Sequence, residues 1–112
     1  MQVIISARHT ELSDSVREHI QEQFQRLSRF EPRASRSEVT LREEGGGCVV
    51  EAVVSIDGGA PIHGAAEAEK FRSATDRLID KLAKQLKKVR ARRTDHRGAL
   101  PNADEEMDDV DA

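Results

Sequence analysis

The sequence predicts a single α+β domain in the order β-α-β-β-β-α, a four-stranded sheet with two helices packed on one face. Three observations predict it. Two long segments place apolar residues at steps of three and four. Four short segments alternate apolar with polar residues or run β-branched. Glycine, proline or a helix cap marks most of the junctions between them. A chain of 112 residues can bury one hydrophobic core, not two.

Met1 to Ala7 (MQVIISA) is β-branched and apolar on both faces, the pattern of a central strand. Arg8 to Thr10 turns the chain. Ser13 is placed to cap a helix, and Asp14 favours the positive end of its dipole. That helix runs to about Arg29, with Val16, Ile20, Phe24 and Leu27 as its buried stripe. Arg17, Glu18, Glu22, Gln25 and Arg29 face water. Glu31-Pro32 ends it, because proline disfavours helical geometry in the residue before it.

Ser37, Val39 and Leu41 alternate with Glu38, Thr40 and Arg42 as a half-buried strand, and Gly45-Gly46-Gly47 allows a hairpin. The next strand, Cys48 to Ile56, sets Cys48, Val50, Ala52, Val54 and Ile56 on one face. Asp57-Gly58 signals a second hairpin of type I′, which needs positive φ at both central positions. Pro61 to Ala68 is a weaker strand, with Ile62, Ala66 and Ala68 opposite His63, Ala65 and Glu67. The simplest packing is an antiparallel meander with both helices on one face.

Glu69 to Arg93 contains no proline or glycine and reads as one long helix. Phe71, Ala74, Leu78, Leu82, Leu86 and Val89 form its apolar stripe, with Thr75 and Ile79 at the margin. Lys70, Arg77, Lys81, Lys84, Lys88 and Arg92 fall within an arc of about 80° on another side. Periodicity stops at Thr94. The domain is therefore expected to span 1–97, followed by a disordered acidic tail at 98–112.

The whole-chain charge of −3 averages two unlike parts. All 18 Lys and Arg lie at or before Arg97, with 15 of the 21 acidic residues, for a net of +3. The other six acids, all within the last nine residues, give the tail −6. Such asymmetry points to a nucleic-acid partner and an acidic appendage. From Lys70 to Arg97 there are eleven basic and three acidic residues, +8 in all. That excess exceeds what solubility requires, and its self-repulsion is offset by a polyanion. A solvated helix face is the plainer alternative. Arg17, Arg26, Arg29, Arg33 and Arg36 could extend the cationic surface. With no Trp or Tyr and only three Phe, base stacking has few platforms, which favours recognition of backbone and shape in folded RNA over DNA.

Other chemistries find little support. Gly45-Gly46-Gly47 lacks the lysine and helix start of a phosphate loop. His9, His19, His63 and His96 show no metal-ligand spacing, and Cys48 is the lone cysteine, so no metal or cofactor is expected. No nucleophile–base set or carboxylate pair stands out, so no enzymatic activity is expected. Nor is a signal peptide or a membrane span; the lone Cys48 fits a reducing cytoplasm, and a cytoplasmic monomer is expected.

Four segments carry a resemblance. They are MQVIISARHTELSDSVREHI at the start, FQRLSRF at Phe24–Phe30, IDGGAPIHGAAEA with its glycine turn and His63, and above all LIDKLAKQLKK at Leu78–Lys88. On these the chain resembles the short form of the ribosome hibernation-promoting factor and protein Y (ribosome-associated inhibitor) family, over roughly residues 1 to 93. The resemblance implies a double-stranded-RNA-binding-like domain that binds the small ribosomal subunit and its rRNA at the subunit interface. There it would block the decoding region used by tRNA and mRNA, silencing translation in starvation or stationary phase.

Lys81, Lys84 and Lys88, with Arg17 and Arg26, match the family's basic positions and are carried over as rRNA contacts. Arg77, Arg90 and Arg92 join that set on charge alone. Where the family usually reads Asp-Met-Tyr at the start of the second helix, this chain has Lys70-Phe71-Arg72. The long members' extra carboxy-terminal domain is not expected. The alternatives are a general structured-RNA-binding module acting outside the ribosome and a module that docks an acidic protein on the basic helix.

Overall fold

The computed structural model describes residues 1–94, with side chains through Arg90; the expected domain limit at Arg97 and the acidic segment 98–112 lie outside the described residues. Its elements are β1 (Gln2–Arg8), α1 (Asp14–Phe30), β2 (Ala34–Glu44), β3 (Gly47–Ile56), β4 (Ile62–Ala68) and α2 (Phe71–Thr94). They make one mixed four-stranded sheet in the order β1-β2-β3-β4.

The capping expectation for α1 holds. Ser13 accepts a hydrogen bond from the Val16 amide at 3.2 Å, and the Glu31 amide closes the other end on the Leu27 carbonyl at 3.0 Å. Ile20, Phe24 and Leu27 are buried, while Val16 is only half-buried. Gln25, expected to face water, instead donates to the Met1 carbonyl at 3.0 Å and so ties α1 to the start of β1.

Two expectations about the sheet are corrected. β1 is an edge strand rather than a central one, and it pairs parallel to β2 (Val3 with Ser37, Ile5 with Val39); only β2, β3 and β4 form the antiparallel meander. The cause is α1. A helical crossover carries the chain back before the next strand begins, so the strand that follows runs in the same direction. Val3 and Ile5 pack towards the core, and Ile4, on the opposite side, stays only partly covered.

The turns are also redistributed. Gly45 and Gly46, at φ 61° and 82°, supply the two positive angles at the tip of the β2–β3 hairpin, and Gly47 already belongs to β3. At the next corner Gly58 has positive φ and Asp57 does not, so no type I′ turn forms there. Instead the Gly59 amide bonds back to the Ile56 carbonyl at 3.1 Å, and the connection extends to Pro61.

The core lies between the helices and one face of the sheet. It contains Val39 and Leu41 of β2, Val50, Ala52, Val54 and Ile56 of β3, Ile62 and Ala66 of β4, and Ala74, Leu78, Leu82 and Leu86 of α2. The predicted stripes of both helices and of β3 supply this core, although their outer members Val16, Cys48, Phe71 and Val89 are only half-buried. At β2 the strand starts earlier than expected. A bulge between Ala34 and Arg36 returns Ala34 to the buried face, against the alternation that marks the strand from Ser37.

The position of α2 is set by Gly64 on β4. A Cβ there would stand 2.9 Å from Leu78 Cδ1 and 3.0 Å from Leu82 Cδ2, so the strand has to be bare for the helix to lie this close. Gly64→Ala is therefore expected to destabilise the domain by about 1–3 kcal/mol, the usual range for overpacking a filled core. Chemical denaturation of the two proteins measures it; an unchanged midpoint would mean that α2 has room to lift.

Candidate nucleic-acid interface

The sequence of α2 (Phe71–Thr94) holds nine basic and two acidic residues, a net of +7. Its circumference divides into flanks with different duties. One flank, Ala74, Leu78, Leu82 and Leu86, is spent on the core. A second faces α1: Arg72 donates to Ser15 Oγ at 3.2 Å, and Asp76 receives Gln23 at 2.8 Å and stands 2.7 Å from His19 Nε2. A third leans over the free edge of β4. The remaining arc is solvated.

The expected contact residues do not form one group. Arg77, Lys81, Lys84 and Lys88 do share a side of α2, following the steps of three and four that the sequence shows. Two of them are already engaged: Arg77 Nη1 donates to the Glu67 carbonyl at 2.7 Å, and Lys81 Nζ to the Ala65 carbonyl at 2.8 Å. Lys84 and Lys88 are exposed and make no hydrogen bond or ion pair among the described residues. Lys87, which falls outside the predicted arc, is exposed and unpaired in the same sense, and it widens the ridge. The signal that could have found it is its place in the run Lys84-Gln85-Leu86-Lys87-Lys88, where three cations share one turn of helix.

Arg90 has a different role. Its Nη1 donates to the Phe30 carbonyl at 3.0 Å, its Nε lies 4.0 Å from Glu31 Oε1, and its guanidinium carbon is 5.2 Å from the Phe30 ring centroid. The Glu31 side chain is 5% exposed, so this arginine answers a nearly buried carboxylate at the end of α1. Arg26 stands near the groove between the helices, donating to Gln23 Oε1 at 3.3 Å. Arg17 is exposed in the row Arg17-Gln21-Gln25, the side of α1 that meets Met1 and turns away from α2. The side chain of Arg92 lies outside the described residues.

Of the other arginines named in the sequence, Arg29 is exposed in the last turn of α1, whereas Arg33 and Arg36 have acidic partners. Arg33 pairs with Glu31 at 3.8 Å and Arg36 with Glu38 at 3.1 Å. On the open face of the sheet Arg42 is shared by Glu51 at 2.8 Å and Glu44 at 3.1 Å; the Glu51 hydrogen bond, ahead of the Glu44 one, holds the guanidinium proton more tightly than usual. Local carboxylates therefore neutralise that face, and among the described side chains of α2 Lys84, Lys87 and Lys88 form the concentrated free positive charge. Among the described residues, no three of His, Cys, Asp and Glu come together as a metal site, and no helix is long and apolar enough to cross a membrane.

Two predictions follow from these contacts. Arg90→Ala leaves Glu31 with less compensation and is expected to lower stability by about 1–3 kcal/mol. Thermal unfolding checks it, and an unchanged transition would return Arg90 to the pool of free cations. Cys48, half-buried with its thiol directed at the Glu69 carbonyl (3.4 Å), has its pKa raised by burial and then by Glu43. Its alkylation by iodoacetamide is expected to be slower than that of a free thiol at neutral pH, accelerating only above the ordinary thiol range. A rate–pH profile matching free cysteine would contradict this.

The family described as Sigma 54 modulation protein / S30EA ribosomal protein matches residues 3–94. The Ribosome hibernation promoting factor of Escherichia coli (strain K12) is 32% identical over 96 residues, covering 86% of this chain and all of that protein. Its namesake from Pseudomonas putida is 35% identical over 88 residues, 79% of this chain and 85% of the relative. Among solved structures, a ribosomal subunit interface protein from Coxiella burnetii superposes with a TM-score of 0.76 at 23% identity, over 81% of this chain and 99% of that one. The N-terminal domain of Thermus thermophilus Protein Y gives 0.70 at 25% identity, over 80% and 99%. By the span of that family match and the identity to full-length relatives, the chain belongs to the Sigma 54 modulation protein / S30EA ribosomal protein family, whose members include the ribosome hibernation promoting factors.

Proposed function

We propose that this protein is a ribosome hibernation factor. It binds the small ribosomal subunit at the subunit interface, through rRNA, and occupies the decoding region that tRNA and mRNA need in starved or stationary cells. The observation that carries the reading is the ridge of Lys84, Lys87 and Lys88, exposed and without protein partners, on a helix of net charge +7. Relatives of nearly the same length are named for ribosome hibernation.

The mechanism is steric and needs no catalytic step. Lysine-to-phosphate contacts position the domain, and its shape supplies the specificity, because the deep groove of duplex RNA hides most base edges from side chains. Lys81, Arg77 and Arg26 add to the positive field around the ridge, whereas Arg17 meets RNA only if the bound surface wraps over α1. The protein acts in the cytoplasm as a monomer. The charge of −6 on Asp104 to Ala112 gives that segment the means to compete with RNA for the ridge, so its removal is expected to leave binding intact or to tighten it, and weaker sedimentation on deletion would contradict the competition.

Lys84→Glu with Lys88→Glu is expected to abolish co-sedimentation with small ribosomal subunits while leaving the unfolding transition in place. Neutral Gln replacements at both positions should reduce the slope of log affinity against log salt by about 1.4–1.8, as for two lost phosphate contacts. These lysines make no internal bonds, so a binding loss reads the surface and not the fold. Retained sedimentation of the Glu variant would make the ridge a mere solvated face. Equal competition by generic duplex RNA and by small subunits would instead favour an RNA-binding module acting outside the ribosome.

A further inference from the structure

The free edge of β4 is built for strand pairing. Ile62–Ala68 (IHGAAEA) is seven residues long, has no internal proline and carries one carboxylate. It is the last strand of the sheet, so one row of its backbone groups has no strand neighbour. Such an edge is a template for another strand, and soluble proteins commonly block it with lysines or a covering helix. Identical strands pair antiparallel with two-fold symmetry, which makes a second copy of this chain its natural occupant.

In this protein the outward carbonyls are occupied from above. Arg77 Nη1 donates to the Glu67 carbonyl at 2.7 Å, Lys81 Nζ to Ala65 at 2.8 Å, and Gln85 Nε2 to His63 at 2.6 Å. Residue numbers rise along α2 as they fall along β4, so the two elements run antiparallel. The spacing explains why three bonds form in step. Four residues of α-helix advance about 6 Å, and alternate residues of a strand advance about 6.6–6.8 Å. The next pair in the series is Val89 with Pro61. Valine has no donor, and the series stops where the strand does.

We propose that Arg77, Lys81 and Gln85 form a guard along the β4 edge that prevents a second copy of this chain from pairing with it. The guard accounts for Gln85, the uncharged member of the series, which a purely electrostatic reading of α2 leaves idle. It also divides the cations of the helix: Arg77 and Lys81 hold the edge, while Lys84, Lys87 and Lys88 remain for an external polyanion. The proposal stands apart from the ribosome reading, since it concerns contacts within the chain and an association in its absence.

The test uses the full chain with Arg77→Ala, Lys81→Ala and Gln85→Ala together; alanine preserves the helix and removes all three donors. Sedimentation velocity is expected to shift from the monomer to the dimer as concentration rises, and the amides of His63, Ala65 and Glu67 to gain protection from hydrogen exchange in parallel. Adding Ala65→Pro, which removes an edge donor without touching the β3 ladder, should restore the monomer. Lys84→Ala with Lys88→Ala also removes two positive charges from α2 and should stay monomeric.

The proposal is overturned if the folded triple variant remains a monomer, if the charge-matched control dimerises equally, if Ala65→Pro fails to reverse the association, or if the wild type is already a β4-paired dimer. Should the triple variant not fold, Lys81→Ala alone, lacking the central donor, carries the test at higher concentration. A folded Lys81→Ala that stays monomeric then overturns it.

Discussion

The close approach of the layers at Gly64 governs much of what α2 presents to its surroundings. Because β4 has no side chain at that point, Leu78 and Leu82 settle against the strand's backbone. Two consequences follow from one contact. The leucine row of α2 completes the core over the β3 and β4 residues that would otherwise lie open. The flank of the helix also drops low enough for Arg77, Lys81 and Gln85 to reach the strand edge. A helix held farther out by even a methyl group would lengthen those bonds first, since hydrogen bonds weaken over fractions of an ångström that dispersion contacts partly survive.

The cations of α2 are best understood by what they touch. Nine positive charges on a helix of 24 residues repel one another, and the fold relieves part of that repulsion through its own acceptors. Arg72 meets Ser15, Arg77 and Lys81 meet strand carbonyls, and Arg90 meets Glu31 and the Phe30 carbonyl. Asp76 lies within the helix array but is directed at α1, bonded to Gln23 and His19, where it joins the helices instead of neutralising the ridge. Among the described side chains of α2, the cations without a partner are Lys84, Lys87 and Lys88, which lie together within five residues.

Much of this was legible in the sequence, and the exceptions have physical reasons. The central members of both helical stripes, the Ser13 cap and the strand alternation from Val50 to Ile56 are local signals, and each is realised. The edge position of β1 is not a local property. A β-branched run reads the same at the centre or the rim of a sheet; α1 makes β1 parallel to β2, and β3 and β4 then add on the other side of β2 and leave β1 at the rim. The bulge at Ala34 hid the start of β2 because it breaks the alternation that announces a strand. Charge counting marked α2 as the cationic element but could not separate its engaged cations from its free ones. Whether an arginine is free depends on a carboxylate or carbonyl distant in sequence, as with Arg90 and Phe30, sixty residues apart.

The engaged and free cations are complementary in a way that follows from entropy. A flexible lysine that closes on a phosphate gives up rotamer freedom, which diminishes the net gain of each contact. Arg77 and Lys81 have already lost that freedom to the β4 carbonyls, and both remain exposed. Their charges therefore act on an approaching polyanion from fixed positions, with no further ordering required. Lys84, Lys87 and Lys88 keep their mobility and can follow phosphates whose spacing the protein does not dictate. A fixed field with adaptable contacts suits recognition by shape, in which the backbone of a folded RNA is read without its sequence.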